Sequence, residues 1–166
     1  MRKSYWERVV ADGYRVPHGA ALNDLTTELV TMLGDPDPRV RDDIACSILR
    51  TWTDEGVYDE LLPGLGDGLL HGLKAGLGEN GTPSVLRRSL SAMTLAHVVR
   101  RDNAVQVVPA TSVLTWADRS VTWLLAERDL RSWVPEMGWV QAIAHGADLL
   151  GAFAASRYFS RDELTV

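Results

Sequence analysis

Three polar side chains that could do chemistry lie within an otherwise apolar stretch near the end of the chain. Gln141, His145 and Asp148 are spaced at i, i+4 and i+7, so a helix would carry them on one face. Histidine is the side chain best suited to proton transfer near neutral pH, and a carboxylate such as Asp148 could orient its ring. The spacing indicates either a general acid–base at His145 or a buried histidine whose hydrogen bonds tie helices together.

A second polar group, Glu127, Asp129 and Arg131, directly precedes this stretch. Glu127 is an alternative carboxylate for orienting His145, and Arg131 could hold an anionic ligand through two parallel hydrogen bonds. The structural interpretation is a salt-bridged loop. Metal binding is a further alternative, but it requires Glu127 or Asp129 to approach His145 as an additional ligand. The residues by themselves therefore predict no metal and no cofactor.

Aromatic and charged residues elsewhere could complete such a site. Trp133 and Trp139 follow the polar group, and they could either pack in the core or form a stacking wall for a planar ligand. Polar residues on two earlier predicted helices could reach the same place if the helices stack. We expect one buried network that joins Arg41, Asp42, Arg87, Glu127, Asp129, Arg131 and His145.

Composition limits the class of protein. A chain of 166 residues with 46% hydrophobic and 23% charged residues is typical of one globular domain. The net charge of −5 disfavours a nucleic-acid partner, because such binding depends on neutralising phosphates. Cys46 is the one cysteine, which excludes an internal disulfide and fits a reducing compartment. The start of the chain lacks the apolar run of a signal peptide, and we expect a cytoplasmic protein without a membrane span. The preference for arginine over lysine is typical of a GC-rich bacterial genome.

Every periodic segment predicts a helix, and no convincing strand or hairpin pattern is present. Asp37 and Pro38 are typical of a helix start, and Gly56 is typical of a position just past a helix end. Ser160 and Glu163 have the spacing of a capping box and predict that another helix begins there. The predicted helices cover about 4–13, 17–33, 38–54, 57–77, 83–100, 109–126 and 139–155.

The segment 139–155 is apolar on nearly all sides, which predicts a buried helix at the centre of the domain. The helix at 57–77 is rich in glycine, which indicates close packing against its neighbours. Helices of this length with short loops favour an all-α fold, an irregular α-solenoid of stacked antiparallel helix pairs over residues 1–166.

Four stretches resemble a bacterial family catalogued as domain of unknown function number twenty-seven eighty-five. They are RDDIA at 41–45, RRSLSA at 87–92, ERDLRSWV at 127–134 and GWVQAIAHGADLL at 138–150. The resemblance spans about residues 20–155 and implies an armadillo/HEAT-like repeat fold, but it carries no established activity.

The chain departs from the family pattern at two positions. Ser132 stands where family members have glycine, and Gln141 stands where they have histidine. A histidine at 141 would complete a metal-binding face with His145 and Asp148, so its loss weakens a metal site. Family members continue with further helices, and a shortened member is one interpretation of this chain.

The preferred prediction is a non-catalytic module that binds a protein or a small molecule. The alternative is an enzyme that uses His145 with Asp148 or Glu127 for acid–base chemistry and Arg131 as an anion clamp. A metal-binding protein is the second alternative. The glycine-rich helix also makes a homodimer a reasonable expectation.

Overall fold

The computed structural model describes residues 2–159, and these residues form a predominantly helical fold with one small hairpin. The all-α prediction is therefore correct apart from that hairpin. The elements are α1 (Lys3–Ala11), α2 (Leu22–Met32), α3 (Pro38–Val40), a π-helical segment (Arg41–Cys46), α4 (Ser47–Asp54), a 3₁₀ turn (Asp59–Leu61), α5 (Leu62–Lys74), α6 (Ser84–Val105), α7 (Ala110–Ala126), β1 (Trp133–Val134), β2 (Gly138–Trp139) and α8 (Ala142–Ala154).

The helix at the centre of the fold is α6. It packs against α8, α5 and α4, and more than half of its residues are buried. The buried face includes Val85, Arg88, Ala92, Leu95 and Val99, which recur every three or four residues. This spacing puts them on one side of a helix, so α6 is the scaffold that positions the polar groups described below.

The prediction that 139–155 is the central buried helix is wrong. Ala142, Gly146 and Leu149 are buried against the rest of the fold, whereas Ile143 and Asp148 face solvent. The exposed face of α8 is otherwise built mainly from alanine and glycine. These residues bury little area, so an apolar composition did not require burial on all sides.

The prediction of a loop without a hairpin at 127–138 is also wrong. Strands β1 and β2 pair antiparallel, with Trp133 opposite Trp139 and Val134 opposite Gly138. Gly138 has a φ of +82°, a backbone conformation that glycine adopts without strain. Each strand has two residues, which is too short for an alternating pattern to be visible in the sequence.

The predicted start of the third helix is confirmed. The Asp37 carboxylate accepts a hydrogen bond from the Arg39 N–H at 3.0 Å, and Pro38 occupies the first helical position. The helical conformation continues over 38–54 and includes the π-helical segment, which was not predicted. Gly56 follows the helix with a φ of +80°, as its position indicated.

Other helix ends differ by several residues from the predictions. The second helix begins at Leu22 rather than near Pro17, and α6 continues to Val105, beyond the expected end near Arg100. The capping-box pattern at Ser160 lies outside the described residues. No helix within residues 2–159 has the length and hydropathy needed to cross a membrane.

The glycines of α5 explain its close packing. A Cβ atom at Gly66 would overlap the indole of Trp116 on α7, and one at Gly72 would overlap the Ser91 side chain on α6. Both positions are buried. The expectation that small residues allow helices to approach closely is therefore confirmed at these two positions.

Candidate functional site

A serine on the central helix holds the imidazole of His145. The Nδ1 atom of His145 lies 2.9 Å from Oγ of Ser89, and the Ser89 hydroxyl also hydrogen-bonds the carbonyl oxygen of Val140. A carbonyl can only accept, so the single hydroxyl proton points to Val140 and Oγ must accept from the imidazole. The neutral ring therefore carries its proton on Nδ1 and keeps a lone pair on Nε2.

Burial favours this neutral form. It lowers the pKa of His145 below its ordinary value, while the Asp148 carboxylate, a hydrogen bond to Ser89 and the Asp42 carboxylate offset part of the effect. Removing an imidazolium from water is costly, and the half-buried ring has no carboxylate bonded to Nδ1 that would compensate. His145 is thus an uncharged imidazole near pH 7.

A second histidine, His97 on α6, lies on the same side of the fold. Burial is the main cause of its lowered pKa, and the cations Arg100 and Arg50 lower it further, whereas Asp54 and Asp148 act in the opposite direction. The positive charge of each histidine would also disfavour protonation of the other. Both imidazoles are therefore neutral near pH 7.

The two imidazoles line one solvent-open pocket of about 360 Å³, here called the histidine pocket. This volume is within the range of small-molecule sites. Apolar side chains, polar side chains and an indole from the hairpin share its walls. The remaining lining residues are Asp42, Cys46, Ser47, Arg50, Leu90, Met93, Trp139 and Gln141.

The π-helical segment sets the position of Asp42 at this pocket. The fully buried guanidinium of Arg41 donates to both Asp42 carboxylate oxygens at 3.0 Å, and it also donates to the Met137 carbonyl oxygen at 2.6 Å. π-Helical turns inside longer helices are frequent at functional sites. Arg41 thereby links the pocket wall to the hairpin, so its role in the fold is to position Asp42.

The two carboxylates predicted to orient His145 are bonded elsewhere. Asp148 is exposed and accepts a hydrogen bond from Arg100 at 2.6 Å, which is the main cause of its lowered pKa. Glu127 is buried against Arg88. The predicted orientation of His145 by either carboxylate is thus corrected to orientation by Ser89.

Glu127 and Arg88 form a closed structural pair with no exposed side-chain surface. Arg88 donates from Nε and Nη2 to the two carboxylate oxygens at 2.6 and 2.9 Å, and the Trp123 indole donates at 3.0 Å. Burial acts to raise the pKa of Glu127, but these hydrogen bonds outweigh it and the pKa is lowered. The prediction placed Arg87 in a network with Glu127, but the arginine that reaches Glu127 is Arg88.

Asp129 and Arg131 form a second ion pair at the base of the hairpin, and the Asp129 N–H donates to Glu127 Oε1 at 3.1 Å. Arg131 Nη2 lies 2.7 Å from Asp129 Oδ2 and 3.0 Å from the Thr82 carbonyl oxygen, and Asp129 also accepts from the Gly81 N–H at 3.2 Å. Burial would raise the pKa of Asp129, but these hydrogen bonds lower it. The predicted single network is therefore only partly formed. Glu127, Asp129 and Arg131 are hydrogen-bonded to one another, whereas Arg41 pairs with Asp42 and His145 bonds Ser89.

The two tryptophans meet on the hairpin. Their ring centroids are 5.0 Å apart in an edge-to-face arrangement, and Trp133 and Trp139 keep 54% and 55% of their surface exposed. They do not pack in the core. Trp139 lines the histidine pocket, so the predicted stacking wall is geometrically available there.

The family model described as Protein of unknown function (DUF2785) matches residues 73–166, which is 94 of the 166 residues. The chain belongs to this family. No curated protein and no solved structure matches it. The family match includes Ser89, His97 and His145, whereas Asp42 and the RDDIA stretch precede it.

The metal alternative lacks a ligand set in the part of the chain that the structure describes. Within residues 2–159, no group of three His, Cys, Asp or Glu side chains is placed to hold a metal ion. Cys46 at the wall of the pocket is buried, and burial, assisted by Asp42, raises the pKa of its thiol to about 12. A thiol in this state is a poor nucleophile and a poor ligand.

Sequence analysis missed His97, Arg50 and Arg88, and it also missed the pairing of Ser89 with His145. The spacing of Val85, Arg88 and Ala92 follows the buried stripe of α6, so periodicity could have identified Arg88 as buried. His97 and Arg50 had no comparable sequence pattern, because their relation to His145 depends on packing between three helices.

Proposed function

We propose that the protein binds a small polar ligand in the histidine pocket, with Nε2 of His145 as a fixed hydrogen-bond acceptor. The observation that carries this proposal is the Ser89 hydroxyl, which bonds both Val140 and His145 and so fixes the ring and its tautomer. A ring held in one orientation beside an open pocket loses little freedom when a ligand binds.

The other lining groups indicate the chemistry of the ligand. Arg50 is an exposed cation at the pocket, and Trp139 presents an indole. A small planar acid could stack on Trp139 and place its anionic group near Arg50. A hydroxyl or amino group on the same ligand would donate to His145. We therefore propose a planar monoacid with one hydrogen-bond donor as the ligand class.

The test compares 4-hydroxybenzoate with benzoate by isotope-resolved NMR of the protein. We expect 4-hydroxybenzoate to shift pocket resonances at roughly millimolar concentration, and benzoate to bind at least about tenfold more weakly because it cannot donate to Nε2. His145→Asn keeps an amide near the Nδ1 position but removes Nε2, so it should abolish the difference. His18→Asn, at an exposed site, is the matched control. Equal binding of the two acids, no binding of either, or a difference that survives in His145→Asn would overturn the proposal.

A second candidate is acid–base catalysis at the same atom. A neutral imidazole with a free Nε2 can accept a proton from an attacking water or hydroxyl. The reporter is 4-nitrophenyl acetate, in which water attacks the ester carbonyl, His145 takes the proton and 4-nitrophenolate leaves. We expect the rate to rise with pH through the lowered pKa of His145 and to be lost in His145→Asn. A rate that His145→Asn leaves unchanged would rule this candidate out.

The armadillo-like stacking of the helices, the cytoplasmic location and a protein partner or second copy stay predictions. The exposed tryptophan pair on the hairpin is compatible with a protein partner. The histidine pocket favours a small molecule, because it is concave and its walls combine apolar surface with a few polar groups.

A further inference from the structure

A larger groove lies between α2 and α5, away from the two histidines. Its volume is about 580 Å³, and apolar surface predominates in its lining. Val30, Leu61, Pro63 and Leu65 contribute aliphatic walls. This volume is again within the range of small-molecule sites.

Two glycines of α5 keep the groove open. A Cβ atom at Gly64 or Gly68 would meet nothing within 4 Å, whereas Gly66 and Gly72 pack tightly against other helices. Gly64 and Gly68 are one helical turn apart and both line the groove. The glycines of this helix thus divide into a packing pair and a pair that leaves space.

The hydroxyls along the groove are already bonded within the protein. Thr27 and Thr31 donate to carbonyl oxygens of their own helix, at 2.9 and 3.0 Å, and Thr26 shares a hydrogen bond of 2.8 Å with Tyr58. These groups therefore present mainly their carbon atoms and their remaining acceptor capacity. The walls favour a hydrocarbon body over a strongly polar one.

Arg87 also lines this groove, together with the polar side chains of Asn23, Glu60 and His71. Its side chain passes close to Gly34, where a Cβ would lie 3.2 Å from Arg87 Cβ, and to Gly72, where a Cβ would lie 3.5 Å from Arg87 Nε. The Nε atom is buried without a hydrogen-bond partner among residues 2–159. The ion pairs formed within that range do not include Arg87.

This situation contrasts with that of the two fully buried arginines. Arg41 and Arg88 each donate to both oxygens of a carboxylate and to backbone carbonyls. A guanidinium without an anion is a ready partner for a carboxylate, because its paired N–H groups match the two oxygens. Because Arg87 has no anionic partner within residues 2–159 and apolar surface predominates in the groove, the arrangement points to an anionic head group on a hydrocarbon body.

We infer that the groove between α2 and α5 binds a free aliphatic monocarboxylate, with its carboxylate at Arg87 and its chain along Gly64 and Gly68. The carboxylate of Glu60 also lines the groove and would repel a second negative charge. This favours a monoacid over a diacid. The site is independent of the histidine pocket and of the function proposed for it.

The experiment measures binding of octanoate to the full chain by titration calorimetry and ligand-observed NMR. We expect octanoate to bind with a Kd of about 1 mM or tighter. Octanamide, which keeps the chain but lacks the charge, and acetate, which keeps the charge but lacks the chain, should each bind at least about tenfold more weakly. Octanoate and octanamide that bind equally well, or octanoate that does not bind, would overturn the inference.

Two variants locate the site. Arg87→Met keeps much of the aliphatic stem and should weaken octanoate binding by at least about tenfold. Gly68→Leu fills open space in the groove and should abolish binding, whereas Gly151→Leu, at another helical glycine with open space, should leave it unchanged. Binding that survives both groove variants would place octanoate elsewhere. If a second copy of the chain occupies the groove instead, sedimentation will show a dimer that Gly68→Leu dissociates, and the carboxylate assignment will be wrong.

Discussion

The hydrogen-bond partner of the His145 imidazole is the uncharged hydroxyl of Ser89. A carboxylate bonded to Nδ1 would stabilise the imidazolium and raise the pKa of His145. The serine instead fixes the ring while burial keeps it neutral. At the residue scale, this arrangement suits a hydrogen-bond acceptor or a base, and it does not suit a permanent cation.

The sequence identified His145 but not its partner. The helix-spacing rule predicted that Gln141, His145 and Asp148 share one helix face. In the structure α8 begins at Ala142, Gln141 precedes it with a φ of +52°, and the partner of His145 lies on another helix. For the same reason, the sequence did not show that Arg88 rather than Arg87 faces Glu127. Neighbouring residues of a helix point about 100° apart, so only one of the two arginines can face a given partner. Contacts between helices depend on this rotation, which a short motif does not determine.

The buried pair of Arg88 and Glu127 predicts a large stability effect. Glu127→Gln leaves a buried guanidinium without its anion, and we expect a loss of about 3–5 kcal/mol in the free energy of unfolding. Asp148→Asn is the matched control, because its ion pair with Arg100 is about half exposed and should contribute about 1 kcal/mol or less. Urea denaturation measures both. Similar losses in the two variants would contradict the structural role of Glu127.

At the element scale, the sequence predicted the presence and the ends of helices better than it predicted the hairpin and the π-helical segment. Asp37, Pro38 and Gly56 marked helix ends correctly, because capping and left-handed conformations are local properties. The hairpin and the π-helical segment were missed. Two-residue strands are too short to show an alternating pattern, and the π-helical segment includes the buried Arg41, whose partners lie in other segments.

The glycines of α5 give a prediction with an internal control. Gly66→Ala would force a Cβ into the Trp116 indole, and we expect a loss of about 1–3 kcal/mol in stability. Gly68→Ala adds a Cβ in open space within the helix and should stabilise by about 0.5–1 kcal/mol. Thermal and urea unfolding measure both variants. Equal effects would show that α5 does not pack on α7 through Gly66.

For the whole molecule, the lowered pKa values of the histidines and of the carboxylates both make the folded state less stable as the pH falls. The unfolded chain binds more protons than the folded chain wherever the folded pKa is lower, so stability rises with pH there. Because the unfolded chain protonates His97 and His145 more readily than the folded chain, the free energy of unfolding begins to decrease as the pH falls below about 6.5. Glu127 and Asp129 continue this loss as the pH falls below about 4.5.

We therefore expect the protein to be less stable at about pH 5.5 than at about pH 7.5. Replacing His97 and His145 together with asparagine should reduce this difference, because neither position then gains a proton. Urea denaturation at the two pH values measures it. A difference that is unchanged in the double variant would mean that other groups cause it.

The most direct test of the account is NMR of the His145 ring nitrogens across a pH titration. We expect a neutral ring with its proton on Nδ1 and an unprotonated Nε2 at pH 7, a pKa below 6.5, and titration before the protein unfolds. Ser89→Ala should remove the preference for this tautomer, whereas Ser120→Ala, at a buried hydroxyl with no partner in the described part of the chain, should not. A proton on Nε2 of the wild-type ring, or a pKa above 6.5, would contradict the assignment of His145 as a neutral acceptor that faces the pocket.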